Sequence, residues 1–178
     1  MIKISENAKT PSFEWTNFYM KFADKLLEYK NDRKNLVIKL NKAYESIKIR
    51  LLNPFEEDGK FREDICPFSI FGSFNRKVDE EKRISILETF ARTLGITEEV
   101  PENLEGIPTM FPRNPWFFGK KDNRKEDDIS NLWELFEAAI NYADNPSEIN
   151  KITFIRNFDK VSAQYGIKWN ITIVLYWI

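Results

Sequence analysis

Apolar residues in this chain return at three- and four-residue steps in one segment after another. That period commits most of the sequence to amphipathic helices whose apolar stripes must be buried against one another. Between Trp15 and Tyr29 the stripe is Trp15, Phe18, Tyr19, Phe22, Ala23, Leu26 and Leu27. Asn31 and Asp32 interrupt it and supply caps for a second helix, whose stripe is Leu36, Leu40, Ala43, Ile47 and Leu51. Two helices joined by so short a polar break should pair as an antiparallel hairpin. A third helix starts at the Asp79 cap and carries Glu80 and Glu81 in its first turn, where the helix dipole favours acids. It buries Ile84, Leu87, Phe90, Ala91 and Leu94 and stops at Gly95. A fourth begins near Asp127-Asp128 with Leu132, Trp133, Leu135, Phe136, Ala139 and Ile140 on one side. A fifth follows Pro146-Ser147 with Ile152, Ile155, Phe158 and Ser162 in register and Gly166 as its stop.

Three stretches lack this period. Asn53-Pro54 through Pro67 is acidic, contains Gly59 and reads as a loop. Phe68 to Lys77 is rich in aromatic residues and ends in two positive charges. Residues 96 to 127 hold Pro101, Pro108, Pro112 and Pro115 with two glycines, which excludes a regular helix; a connection of that length inside a domain is unusual unless it binds something. The cluster Trp116-Phe117-Phe118 within it argues for order. The closing run from Ile171 to Ile178 is β-branched enough for a strand, and Asn170 is equally suited to cap a short buried helix. The expected architecture is mostly α: one helical domain of about five helices over residues 1–178, with a long Pro-rich loop and at most a minor β element near 68–74 or 170–178. An apolar run at the end of a chain is unusual, so the sequence predicts an N-terminal domain that continues into a larger protein past Ile178.

The core should be built around rings, since 15 Phe, 5 Trp and 6 Tyr are present and each buries roughly 150–250 Å². Charge nearly cancels, 27 basic against 28 acidic residues, so any affinity for a polyanion must come from local clusters of Lys and Arg. A single cysteine, Cys66, makes no internal disulfide, and no charged-then-apolar leader follows Met1. Together with the lack of a run of about 18 apolar residues, this predicts a cytoplasmic protein.

With no histidine, schemes that need imidazole fail, including Ser-His-Asp and Cys-His catalysis and His-based zinc sites. Neither a G-x-x-x-x-G-K-[ST] loop nor a G-x-G-x-x-G turn is present to cradle a nucleotide. Glu80-Glu81-Lys82 with Asp64 superficially resembles the carboxylate and lysine set of a metal-dependent nuclease. Acids in a first helical turn are ordinary capping electrostatics, however, and Cys66 beside Pro67 reads as packing. The chain alone is therefore expected to carry no catalytic site, metal or cofactor.

Two basic clusters remain. Arg76-Lys77 closes the Phe-rich stretch, with Lys82 and Arg83 near it, and Lys120-Lys121-Asp122-Asn123-Arg124-Lys125 follows Trp116-Phe117-Phe118 directly. Cations beside exposed rings suit nucleic acid, the cations holding phosphates and the rings stacking on bases; a solvated charged loop beside core rings is the alternative.

The succession Trp15-x-x-Phe18-Tyr19, Phe22-Ala23-Asp24-Lys25-Leu26-Leu27, Pro67-Phe68, Phe71-Gly72-x-Phe74-Asn75-Arg76, Gly106-Ile107-Pro108, Trp116-Phe117-Phe118, Asp128-Ile129-x-x-Leu132-Trp133-x-Leu135-Phe136 and Leu175-Tyr176-Trp177-Ile178 resembles the N-terminal region of McrB-type proteins. The resemblance implies that a GTP-hydrolysing AAA+ motor, with its GTP and Mg²⁺, would lie downstream. A separate McrC-type nuclease subunit would cut, and this region would choose double-stranded DNA, methylated or otherwise modified. It also implies a base extruded into an aromatic pocket, which requires rings and a polar edge reader. By position, Phe71, Trp116, Phe117 and Trp169 are the candidate rings and Asn75 and Asn114 the candidate edge readers. Arg76, Lys77, Arg113, Lys120, Lys121, Arg124 and Lys125 are the candidate DNA-backbone contacts. A non-DNA-binding module that docks the motor or a partner subunit is the other reading, and it predicts an exposed apolar patch.

Overall fold

The computed structural model describes residues 13–48, 52, 55–110, 116–167 and 170–178. The fold is mostly helical. Among the described residues there are seven α-helices: α1 (Trp15–Leu27), α2 (Arg33–Ser46), α3 (Pro67–Phe74), α4 (Glu80–Leu94), α5 (Asp128–Asp144), α6 (Glu148–Ser162) and α7 (Asn170–Val174). Two 3-10 turns, Lys121–Asn123 and Leu175–Trp177, complete the set.

The first stripe is buried as its period predicts, Trp15, Phe18, Tyr19, Phe22, Ala23 and Leu26 facing the interior, except that Leu27 at its end is half-buried. α1 and α2 do not form the close hairpin expected of them. α2 packs chiefly on α4, through Leu36, Val37, Leu40, Ala43 and Tyr44, whereas α1 packs on α5 and on the turn Leu175–Trp177. Leu51, placed in the second stripe, lies outside the described residues.

Both stretches considered for a β element are helical. Pro67–Phe74 forms α3, with every one of its eight residues buried, and Asn170–Val174 forms α7. Pro67 suits the first turn of α3 because it has no N–H to leave unpaired, and Cys66 caps it, the Sγ accepting from Ser69 N at 3.3 Å. Among the described residues extended pairing is confined to two isolated bridges, Phe55 with Phe61 and Arg76 with Met110.

α5 and α6 form an antiparallel hairpin. The Asn150 side chain near the start of α6 donates to Asn141 O near the end of α5, and Gln164, just past α6, donates to Asp128 O at the start of α5. The face α6 turns inward differs from the expected one. Val161 is buried, Phe154 and Phe158 are partly buried, and Phe154 stacks on Tyr142 with centroids 5.8 Å apart; Ile152 and Ile155 are exposed, as is Ser162. α6 carries two apolar stripes, and the aromatic one won the contact with α5.

The long connection between α4 and α5 is tied down at several points. Leu104, Ile107 and Met110 are buried, Leu104 N donates to Glu80 Oε1 at 2.8 Å, and Met110 N donates to Asn75 O at 2.8 Å. No helix among the described residues is long and apolar enough to cross a membrane.

Candidate functional site

Trp116, Phe117 and Phe118 lie in a non-helical segment that bends at Phe118, and their side chains divide between two sides. Phe117 points inward against Phe68, with its N–H donating to Ser69 Oγ at 3.1 Å. Trp116 and Phe118 share the other face, edge to face with centroids 5.3 Å apart.

That face is met by a cation. The guanidinium carbon of Arg62 lies 4.3 Å from the Trp116 ring centre and 5.9 Å from that of Phe118, and Arg124 lies 5.2 Å from Phe118 on its own account. A desolvated cation over a ring face gains about 2 kcal/mol, enough to fix the stack. Glu56 binds both guanidiniums, Arg62 at 2.8 Å and Arg124 at 3.0 Å, and all three side chains are largely buried. Burial holds the Arg62 pKa below its ordinary value, with Glu56 and Glu57 acting against that.

Beside this stack opens a cleft of about 550 Å³, lined by Phe55, Arg62, Trp116, Phe118, Lys120 and Tyr165. Its far wall is the turn after α6. Gly166 takes the left-handed turn at φ +86°, and a Cβ at Gly119 would sit 3.1 Å from Tyr165 Cδ1, so the missing side chain at Gly119 lets the two segments approach. Asn123 and Glu57 supply further polar groups to the lining.

Over the basic loop lies a small hairpin, residues 55–61, closed by Gly59 at φ +79° and by an edge-to-face pair of Phe55 and Phe61. Its acidic residues face the loop. Asp58 pairs with Lys121 at 2.8 Å, which with the Lys60 N–H holds its carboxyl below the usual range. Hydrogen bonds from its own N–H and from that of Lys121 do the same for Glu57.

The predicted site residues divide accordingly. Trp116 and Lys120 line the cleft; Lys121, Arg124 and Lys125 lie in the segment that follows, with Lys121 and Arg124 engaged by the hairpin. Phe117 is buried beneath them and is an anchor rather than a stacking platform. Phe71 is fully buried between α1, α5 and Trp177 and offers no open face. Asn75 is also fully buried, its Oδ1 accepting from Tyr19 Oη at 2.7 Å and Arg83 Nη2 at 2.9 Å, so it reads no base edge. Arg76 is buried with Nε donating to Ser73 O, which removes it from the backbone contacts. Lys77 is exposed but does not line the cleft. Arg113, Asn114 and Trp169 lie outside the described residues.

The carboxylates weighed for a metal site have other duties. Glu80 accepts from Leu104 N, Lys82 pairs with Asp79, and Asp64 pairs with Arg33 at 3.1 Å.

Residues 15–178 match the family described as a domain of unknown function, DUF8425, a span that begins at the first residue of α1 and takes in the cleft and its supports. The chain belongs to that family. Neither a curated protein nor a solved structure matches this DUF8425 chain. The cleft and hairpin residues that sequence reasoning missed include Phe55, Glu56, Glu57, Asp58, Arg62, Phe118 and Tyr165. A signal for the hairpin residues was present in Phe55-Glu56-Glu57-Asp58-Gly59, where an Asp-Gly turn follows a ring and two acids.

Proposed function

We propose that this domain is the DNA-recognition module of an McrB-like, modification-dependent restriction GTPase, directing a partner nuclease of the McrC type to modified DNA. The observation that carries the reading is the cleft: half-buried Trp116 and exposed Tyr165 offer ring surface beside the exposed Lys120 cation, with buried Phe118 and the Glu56-paired Arg62 forming its base. Rings with adjacent cations suit a nucleobase and its phosphate, the stacking contributing roughly 1–3 kcal/mol per base. On this reading the protein works in the cytoplasm. GTP and Mg²⁺ belong to a motor elsewhere in the protein, since no Gly-rich phosphate loop with its lysine occurs in this chain.

The test is a gel-shift series with plain, methylated and hydroxymethylated duplexes at low salt. Binding is expected, weakened about tenfold or more by Trp116→Ala and reduced in salt dependence by Lys120→Ala. Absence of binding to every duplex would refute the reading.

A second reading, docking of a motor or partner subunit, is favoured by one observation. Ile149, Ile152 and Ile155 of α6 are 77%, 57% and 46% exposed and follow one another at three-residue steps along the helix. A charge introduced at Ile152 would then abolish association with the partner while leaving DNA binding intact.

A further inference from the structure

The basic loop is already occupied. Three consecutive acids at the hairpin each engage it: Glu56 holds Arg124, Glu57 accepts from the Lys121 N–H, and Asp58 pairs with Lys121 Nζ at 2.8 Å. Acids spaced along one short segment and set against cations of another present the pattern a phosphodiester chain would present.

The three contacts are unequal. Glu56 is largely buried with Arg62 and Arg124, where breaking an ion pair would strand charge away from water. Glu57, Asp58, Gly59 and Lys60 at the tip are exposed, and an exposed ion pair contributes little. Gly59 in the left-handed region forms the turn at that tip. The root is therefore fixed and the tip is held weakly.

We propose that the hairpin tip, Glu57-Asp58, is an internal polyanion mimic that covers the loop at Lys121 and is displaced by the phosphates of a nucleic-acid strand. This rests on the reading of residues 120–125 as the backbone-contacting loop. Non-specific phosphate chains must compete with the tip, so weak binders are rejected. A ligand that also fills the ring-lined cleft has the additional free energy to displace it. Glu56 stays with its two arginines throughout and keeps Arg62 over Trp116.

The experiment compares wild type with Glu57→Gln/Asp58→Asn, and with Asp58→Asn alone, which alters only an exposed pair. Affinities for a short unmodified duplex and for inorganic polyphosphate are measured by fluorescence anisotropy over a range of salt, after circular dichroism has verified folding. The variants should bind the duplex about threefold to tenfold more tightly at low salt. The slope of log affinity against log salt should steepen by about one for the cation released. Lys121→Ala, which releases Asp58 but removes the cation, should show no gain. Equal duplex binding by wild type and variants would overturn the mimic and leave the DNA reading standing. If neither form binds duplex yet the variants gain affinity for polyphosphate, the tip does cover Lys121 against polyanions, but its displacement by nucleic acid falls together with the DNA reading. No gain by the variants for either ligand overturns the mimic.

Discussion

Arg83 enters the interior from α4 with a full charge, and the groups that receive it explain why Asn75 is buried. Its Nε donates to Phe74 O at 2.9 Å and its Nη2 to Asn75 Oδ1 at 2.9 Å, the same oxygen that accepts from Tyr19 Oη. One amide thus joins α1, the end of α3 and α4, while its backbone carbonyl receives Met110 N. Desolvation raises the Tyr19 phenol well above its ordinary value, so it stays a neutral donor across the accessible pH range. Asn75→Leu would leave a phenol and a guanidinium N–H without that acceptor, and buried orphans of this kind cost about 1–3 kcal/mol each, more when charged. Urea denaturation should report a loss of about 3 kcal/mol or more, and an unchanged midpoint would mean the network contributes nothing. Asparagine beside Arg and Phe in sequence suits a base reader or a buried linchpin equally; only burial separates them. Asp58 shows the opposite environment. Its exposed carboxyl faces Lys60 and Lys121, which depress its pKa. A depressed carboxyl supports its contact at pH above the unfolded value and loses it as pH falls through the folded one, so Asp58 should let go only below the pH at which an ordinary aspartate titrates. Carboxyl-carbon NMR should find the Asp58 midpoint below the ordinary aspartate value in wild type, moving up toward it in Lys121→Ala.

The elements legible in the sequence were those with one wet face. α1, α4 and α5 each bury one apolar stripe, and most residues named from their period are inside, Trp133 and Phe136 of α5 included; Leu27, Ile84 and Ala139 are half-buried at the stripe edges, and Ile86 and Ala138 are buried in addition. α3 had no period to read, because a helix buried on every side is apolar on every side; Pro67 was the remaining sign of its start. In α6 the difficulty was the reverse. Ile149, Ile152 and Ile155 mark one face and Phe154, Phe158 and Val161 another, and periodicity alone cannot rank two stripes that share a helix. The cleft was legible where the chain is continuous, from Trp116 to Arg124, and illegible where it is assembled from afar, because Arg62 and Tyr165 carry no local mark of their spatial neighbours. The choice of face in α6 has a measurable consequence. Val161→Ala removes buried methyl groups worth roughly 1–2 kcal/mol at about 0.8 kcal/mol per carbon. Ile152→Gln should change stability by no more than about 0.5 kcal/mol, as surface substitutions do. Equal losses in paired urea melts would show that the isoleucine face is the one packed.

At the scale of the whole molecule, the fold is closed by segments far apart in sequence. Ile171, Val174 and Trp177 are buried, α7 packs on α3, and the turn Leu175–Trp177 packs on α1. Trp177 stacks on Phe71 with centroids 6.4 Å apart, and its Nε1 donates to Pro108 O at 3.0 Å, so it also ties down the long loop. Rings continue from there through Phe71, Phe136 and Phe68 to Phe117, the residue that anchors the floor of the cleft. The last turn therefore covers one end of a ring-built core whose other end carries the site. Truncating a buried Trp to Ala costs about 3–5 kcal/mol through lost transfer energy and the cavity left behind. Trp177→Ala should lower the urea midpoint accordingly. Deleting residues 170–178 uncovers the side of Phe71 that Trp177 covers, and it should leave the local helices in place while the shared packing loosens. The expected signature is retained far-UV dichroism with weakened near-UV signal and binding of a hydrophobic dye. A deletion variant that keeps its near-UV spectrum and melts like wild type would show that α1 to α6 complete the core unaided.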